Sequence, residues 1–188
     1  THAVGNLDAG DVLYVRRGEY AEAFNVRAYG RPGRPIVISA FPGERVRIVE
    51  PEGWRAATPH GGIVQMTECA WVWLHGFEII GTSRYGSAYV PGHDRFGIQL
   101  GGEANQLLNN IIGRAYDSGI RVQWGNCLVE GNVVFECGTP WEGRGMDVMG
   151  NPGERSVVRG NVTLRCSGIQ PGYIHGGYFY NNLMVDSS

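Results

Sequence analysis

Two short patterns recur along this chain at nearly the same interval, and that recurrence limits the fold more than any single motif does. The first pattern ends on a glycine-asparagine or asparagine-asparagine pair in four of its five copies and on glycine-phenylalanine in the first. Its copies are Trp73-Leu74-His75-Gly76-Phe77, Gln106-Leu107-Leu108-Asn109-Asn110, Leu128-Val129-Glu130-Gly131-Asn132, Val157-Val158-Arg159-Gly160-Asn161 and Tyr178-Phe179-Tyr180-Asn181-Asn182. Aligned on their last residues, the copies step by 33, 22, 29 and 21 positions. The second pattern is Gly97-Ile98, Gly119-Ile120, Gly145-Met146 and Gly168-Ile169, stepping by 22, 26 and 23. Two independent markers with one period indicate a stacked repeat, in which each unit buries its apolar face only against its neighbours.

The kind of repeat follows from what lies between the markers. Helical repeats need amphipathic runs of ten or more residues, and glycine or asparagine interrupts every such window. The leucine spacing of leucine-rich repeats is missing. What remains are runs of four to six residues with period-two alternation, rich in Val, Ile and aromatics, as strands require. Three short strands per turn with Gly or Asn at the bends describe a parallel β-helix of about six coils, forming one all-β domain over residues 1–188. Asn110, Asn132, Asn161 and Asn182 would stack about 4.8 Å apart and bond to one another along the axis. Each would occupy the left-handed conformation at its bend. Cys137 and Cys166 fall five residues after their asparagines, which predicts a stacked pair of interior thiols in preference to a disulfide.

Composition narrows the function classes. The net charge is −2 with a pI near 6.2, so the clustered basic surplus of a nucleic-acid-binding domain is missing. All sixteen basic residues are arginine, which removes lysine base and Schiff-base chemistry. No apolar run approaches the length needed to span a bilayer, so no membrane partner is expected. The four cysteines contain no CxxC pair and leave the compartment open; a secreted or cell-surface place is the expectation.

With the repeats in view, the chain resembles the pectate-lyase-like right-handed parallel β-helix superfamily. Gly10-Asp11-Val12-Leu13-Tyr14-Val15-Arg16-Arg17-Gly18-Glu19-Tyr20, followed by Pro35-Ile36-Val37-Ile38-Ser39-Ala40-Phe41-Pro42-Gly43, is similar to the first coils of its polysaccharide-acting members. The resemblance covers nearly the whole chain. Members commonly begin with a capping helix, of which only residues 2–9 here could be a tail, and residue 188 follows directly on a strand. Uncapped coils expose unpaired strand edges, so the expectation is a piece of a longer solenoid or a homo-oligomer that covers an end.

If Ile98, Ile120, Met146 and Ile169 point inward, the next residue of each coil points outward. That row reads Gln99, Arg121, Asp147, Gln170. In the resembling enzymes this sheet floors the polysaccharide groove, which makes the row the candidate site, with Arg121 and Asp147 on adjacent rungs. The loop 82–96 adds Tyr85, Tyr89, His93, Asp94 and Arg95. The loop 138–144 adds Trp141, Glu142 and Arg144, and a third holds Tyr116 and Asp117. Exposed Trp and Tyr stack on sugar rings; Trp54, Trp124 and Trp141 are the expected exposed tryptophans, whereas Trp71 and Trp73 flank a strand with one face in the core. His75 is expected outward and solvated.

The resemblance implies two chemistries. A lyase would use Arg121 with Asp147 and Glu142, the acid of the sugar being neutralised by Ca²⁺ or another cation, with Asp94 and Asp147 as the calcium candidates. A glycosidase would use a carboxylate pair drawn from Asp117, Asp147 and Glu142. Neither the paired-aspartate signature of polygalacturonases nor the aspartate cluster of pectate lyases is found. A non-catalytic glycan-binding module and a scaffold with a decayed site therefore stand beside the enzyme, and Arg121–Asp147 as a purely structural cross-rung pair stands beside the catalytic reading.

Overall fold

The computed structural model describes residues 3–54, 60–83, 94–138, 144–171 and 177–185, without the side chains of His60, Asp94 and Pro171. The chain winds in coils of three strands. Strands β1 (Val12–Val15), β2 (Gly18–Ala21) and β3 (Phe24–Asn25) make the first coil, and β4 (Ile36–Ala40), β5 (Val46–Val49) and β6 (His60–Met66) the second. The third holds β7 (Val72–His75), β8 (Glu78–Ile80) and β9 (Asp94–Leu100); the fourth holds β10 (Gln106–Leu108), β11 (Ile111–Gly113) and β12 (Ile120–Val122). The fifth holds β13 (Leu128–Glu130), β14 (Val133–Phe135) and β15 (Met146–Val148); the sixth holds β16 (Ser156–Arg159), β17 (Val162–Leu164) and β18 (Ile169–Pro171). Two strands of a seventh follow, β19 (Gly177–Tyr180) and β20 (Leu183–Val185).

First strands pair only with first strands, second with second and third with third, giving sheets I, II and III of seven, seven and six parallel strands. The result is a right-handed parallel β-helix, as the repeats predict. In-register pairing lets inward residues stack on their own kind: Ile38, Leu74, Leu107, Val129 and Val158 down sheet I, and Ile48, Ile79, Ile112 and Val134 down sheet II. All nine are buried, and each such side chain contributes about 1.5–3 kcal/mol.

The asparagine ladder runs through the bend between sheets I and II. Asn110 Nδ2 donates to Asn132 Oδ1 at 3.1 Å, Asn132 Nδ2 to Asn161 Oδ1 at 3.0 Å, and Asn161 Nδ2 to Asn182 Oδ1 at 3.0 Å. The same oxygens accept the backbone N–H of the preceding rung's asparagine at 2.9–3.0 Å. One expectation is corrected. The left-handed residue is the one before each ladder position, Gly76, Asn109, Gly131, Gly160 and Asn181, with φ between 53° and 78°. The ladder asparagine itself must turn its amide inward to reach its neighbours, so the reversal happens one residue earlier.

The glycines of the second marker also have a physical cause. Gly97 and Ile98 both face the interior at the corner leading into sheet III. A Cβ on Gly97 would lie 2.4 Å from Ile112 Cγ2, one on Gly119 would lie 2.2 Å from Val134 Cγ1, and one on Gly145 would lie 2.6 Å from Thr163 Cγ2. Two successive inward residues leave no room for a side chain on the first. A bend that the repeats do not announce is held by Arg114, Glu136 and Arg165, all left-handed at φ 50–57°. Glu136 takes an ion pair from each neighbour, at 3.2 Å from Arg114 and 3.0 Å from Arg165.

The thiols behave as expected: all four cysteines are free and buried, and the N–H of Cys137 donates to Cys166 Sγ at 3.4 Å. Burial pushes the thiols of Cys69 and Cys127 up to about 12. The tryptophans do not follow expectation. Trp54 is half-buried against the core. Trp71 and Trp73 are both half-buried, and the core position between them belongs to Val72. His75 is not simply solvated. Its Nδ1 lies 3.1 Å from Ser39 Oγ and its Nε2 3.3 Å from Asn109 Nδ2, one partner on each adjacent rung. At the first coil a short 3-10 turn, Ala3–Asn6, buries Val4, and Leu7 packs beside it. No described helix is long and apolar enough to cross a membrane.

Candidate functional site

The corner of paired inward residues sets which side chains sheet III shows to its outer face. After Ile98, Ile120, Met146 and Ile169 have turned in, the next residue must turn out. Register then lines up Asn25, Gln65, Gln99, Arg121, Asp147 and Gln170 as one row across six rungs. Four of these are the row read from the repeats. Asn25 and Gln65 extend it and were missed because the corner of the second coil is Ile63-Val64, without the glycine that marks the later coils.

The row is charged only at its centre. Arg121 Nε stands 3.8 Å from Asp147 Oδ2 on the next rung, and Arg144 Nη1 stands 3.2 Å from Asp147 Oδ1. Arg144 enters from the residue before the glycine corner, three positions ahead of Asp147 on the same coil. Its pairing was not foreseen, since the sequence places it at the end of a loop. The Arg121 guanidinium lies over the Phe96 ring, 4.9 Å from its centre, with Nη2 3.1 Å from Met149 Sδ. A ring face beneath a guanidinium adds electrostatic attraction and fixes its plane. One rung earlier, Gln99 Nε2 donates to Gln123 Oε1 at 2.6 Å.

These groups face outward, yet Gln99 and Asp147 are each only 4% exposed. Burial normally demands that each polar atom find a partner. Here Gln99 Oε1, Arg121 Nε and Asp147 Oδ1 have no hydrogen bond among the described residues. The Arg144 contact to Asp147 Oδ1 is within ion-pair distance without hydrogen-bond geometry. Leaving a buried polar atom unpaired costs about 1–3 kcal/mol. Three such atoms on consecutive rungs of one face mark a place where a hydroxyl and a carboxylate from outside can complete the bonding.

The other expected residues fall around this centre or beyond it. Gln170 is exposed at the last rung of the row. Trp124 is half-buried and not the open platform expected; its ring lies against Gly101, where a Cβ would meet Cε2 at 3.0 Å. Asp117 is half-buried and accepts the Ser118 hydroxyl at 3.0 Å, while its N–H donates to the Arg95 carbonyl. Arg95 turns away from the row to the buried Glu50 carboxylate, which also accepts the Thr82 N–H at 3.0 Å. Tyr85, Tyr89, His93, Trp141 and Glu142 lie outside the described residues, and Asp94 is described in its backbone alone.

A calcium ion of the kind the resemblance implies does not fit at Asp147. Its carboxylate lies between two guanidiniums, which would repel a dication, and no group of three His, Cys, Asp or Glu among the described residues is placed to hold a metal.

No family model matches the chain, and no curated protein matches it. Solved structures do. A mannuronic acid specific polysaccharide family 6 lyase from human gut microbiota is similar over 96% of this chain and 48% of its own, with a TM-score of 0.59 and 19% identity. A pectate lyase is similar over 96% of this chain and 51% of its own, with a TM-score of 0.50 and 14% identity. The chain thus spans about half the length of these enzymes and shares their parallel β-helix fold.

Proposed function

We propose that this solenoid is a carbohydrate-active module that binds an acidic polysaccharide along the outer face of sheet III, and that the face is arranged for elimination more than for hydrolysis. The observation that carries the reading is the Arg121–Asp147–Arg144 group, with its unpaired buried atoms at the middle of a row of carboxamides. The polysaccharide lyases that share the fold support a glycan as the ligand.

Elimination beside a uronate needs the sugar carboxylate neutralised, so that the adjacent C–H becomes acidic, and a base that removes that proton. As the proton leaves, the glycosidic C–O bond on the next carbon breaks, a C=C bond forms and the departing oxygen takes up a proton from an acid or water. Arg121 and Arg144 supply the first requirement. A guanidinium fork matches a carboxylate in two parallel bonds. Phe96 and Asp147 hold Arg121 in place before substrate arrives, which lowers the reorganisation needed on binding. Asp147 Oδ1 and Gln99 Oε1 would accept sugar hydroxyls. The base is assigned to Asp117, in the turn that leads into β12, with Glu142 as the other acidic candidate read from the sequence. Inverting or retaining hydrolysis would instead need two carboxylates facing one bond, one of them protonated. Asp147 is the only carboxylate on the row, and it is engaged by two guanidiniums.

The test is ultraviolet absorbance of the unsaturated product, followed over a panel of uronate-containing polysaccharides, with binding measured in parallel by affinity electrophoresis. Product formation lost in Arg121→Ala establishes elimination at this face. Retarded migration without product on any substrate, also lost in Arg121→Ala, would leave a glycan-binding module. Absence of both signals would sink the proposal.

A further inference from the structure

The distribution of charge along the row narrows the ligand further, on the reading that sheet III binds an acidic glycan. Six rungs about 4.8 Å apart make a floor about 24 Å long. Only the fourth and fifth rungs are charged, and there two guanidiniums face one carboxylate, a surplus of a single positive charge. The remaining rungs of the row present Asn25, Gln65, Gln99 and Gln170. Arg27 and Arg95, the other described arginines on sheet III strands or directly following one, are already paired, with Glu68 at 2.8 Å and with the buried Glu50.

Carboxamides and guanidiniums ask for different sugars. A carboxamide donates and accepts, and so matches hydroxyl or acetamido groups, whereas it cannot neutralise a carboxylate. A polyuronate chain laid on this floor would set one carboxylate per sugar against a single surplus charge. Those over the carboxamide rungs would lose hydration without gaining a counter-charge, which is unfavourable. Gln99, buried and with an unpaired Oε1, would best receive a donor such as a hydroxyl or an acetamido N–H.

We infer that the site selects a heteropolysaccharide in which an acidic sugar is flanked by neutral ones, with the acid seated at Arg121 and Arg144 and the neutral neighbours on the carboxamide rungs. Gln99 and Gln170, on either side of the charged pair of rungs, are then the specificity-determining residues, because they reject a second adjacent carboxylate.

Calorimetry with oligosaccharides of matched length separates the possibilities. The probes are an alternating uronate–N-acetylhexosamine polymer, a polyuronate and a neutral glucan. The expected order is alternating first, polyuronate at least about tenfold weaker, and neutral glucan weaker still. In Gln170→Arg, a change at an exposed position, the polyuronate should gain about tenfold relative to the alternating ligand. Polyuronate binding as tight as the alternating ligand, or no change of preference in Gln170→Arg, overturns this inference and leaves the acidic-glycan reading standing. Neutral glucan binding as tight as either acid, or binding of none of the three, overturns both.

Discussion

Two columns of polar side chains run along this solenoid, and they end differently. The inner column, Asn110 to Asn182, is closed. Each amide oxygen accepts from the rung before, and each NH₂ of Asn110, Asn132, Asn161 and Asn182 reaches a backbone carbonyl, on Leu74, Leu107, Val129 and Val158. The outer column, Asn25 to Gln170, is open. Gln99 and Asp147 are nearly as buried as core residues and Arg121 is half-buried between them, yet three of their polar atoms lack a hydrogen bond among the described residues. A polar ladder that satisfies itself stabilises the coil. One that is not satisfied among the described residues keeps a bonding capacity that a ligand can use.

That contrast can be broken most sharply from the inside. Asn132→Ala removes the acceptor of the Asn110 N–H and amide and the donor to the Leu107 carbonyl. At about 1–3 kcal/mol for each buried group left unpaired, the expected loss is about 3 kcal/mol or more, read as a lower urea midpoint. A loss below about 1 kcal/mol would mean that the ladder is ornamental. Next comes Gly119→Ala, whose Cβ would stand 2.2 Å from Val134 Cγ1 and 2.9 Å from the Gly145 carbonyl. Overpacking of this kind costs about 1–3 kcal/mol. Gly5→Ala, where nothing lies within 4 Å, serves as the near-neutral control.

The outer column should respond in the opposite sense. Arg121→Ala is expected to cost about 1 kcal/mol of stability or less, because Asp147 keeps Arg144. Affinity for an acidic oligosaccharide should fall at least about tenfold, equivalent to about 1.4 kcal/mol. A stability loss matching that of Asn132→Ala would make the two columns alike and remove the ground for calling one of them a site.

The smallest effect expected is at the exposed ion pairs that belong to neither column. Hydrogen bonding from the Arg16 guanidinium, then from the Arg17 N–H, holds the Glu44 carboxyl at about 2, below its ordinary 4.5. A depressed carboxylate stabilises the fold above pH 4.5, and that contribution is lost as pH falls toward 2. Glu44→Gln should therefore lower stability slightly at neutral pH and flatten the acid side of the stability profile between those values. An unchanged acid limb in thermal scans would count against the pair.

Much of the fold was legible because its determinants recur. Asn110, Asn132, Asn161 and Asn182 announce themselves by position in the repeat, and the outward row follows from the parity of the strand after each Gly-Ile marker. The reversal was misassigned by one residue because Gly-Asn and Asn-Asn offer two neighbours able to adopt φ > 0, and only the direction of the amide decides between them. Unrepeated features stayed hidden. Asn105 is fully buried and bonds the Val72 N–H at 2.9 Å and the Gly101 carbonyl at 2.6 Å, but no asparagine recurs at that place in the next coils, where Cys127 and Ser156 stand, although Ser156 Oγ makes the corresponding bonds to the Cys127 N–H and the Gly125 carbonyl. At the site, parity identified Arg121 and Asp147. The reach of Arg144 back to Asp147 depends on the path of the chain through the corner, which period alone does not encode.

The uneven spacing of the asparagines has a further meaning. Intervals of 22, 29 and 21 residues between the asparagines, and of 33 from Phe77 to the first of them, all resolve to the same rise along the axis. The ladder is therefore a ruler that is indifferent to how much chain lies between its marks. Segments can lengthen, shorten or be exchanged above sheet III without moving the floor beneath them. A scaffold of this kind lets recognition be rewritten one coil at a time while the metre of the solenoid is kept.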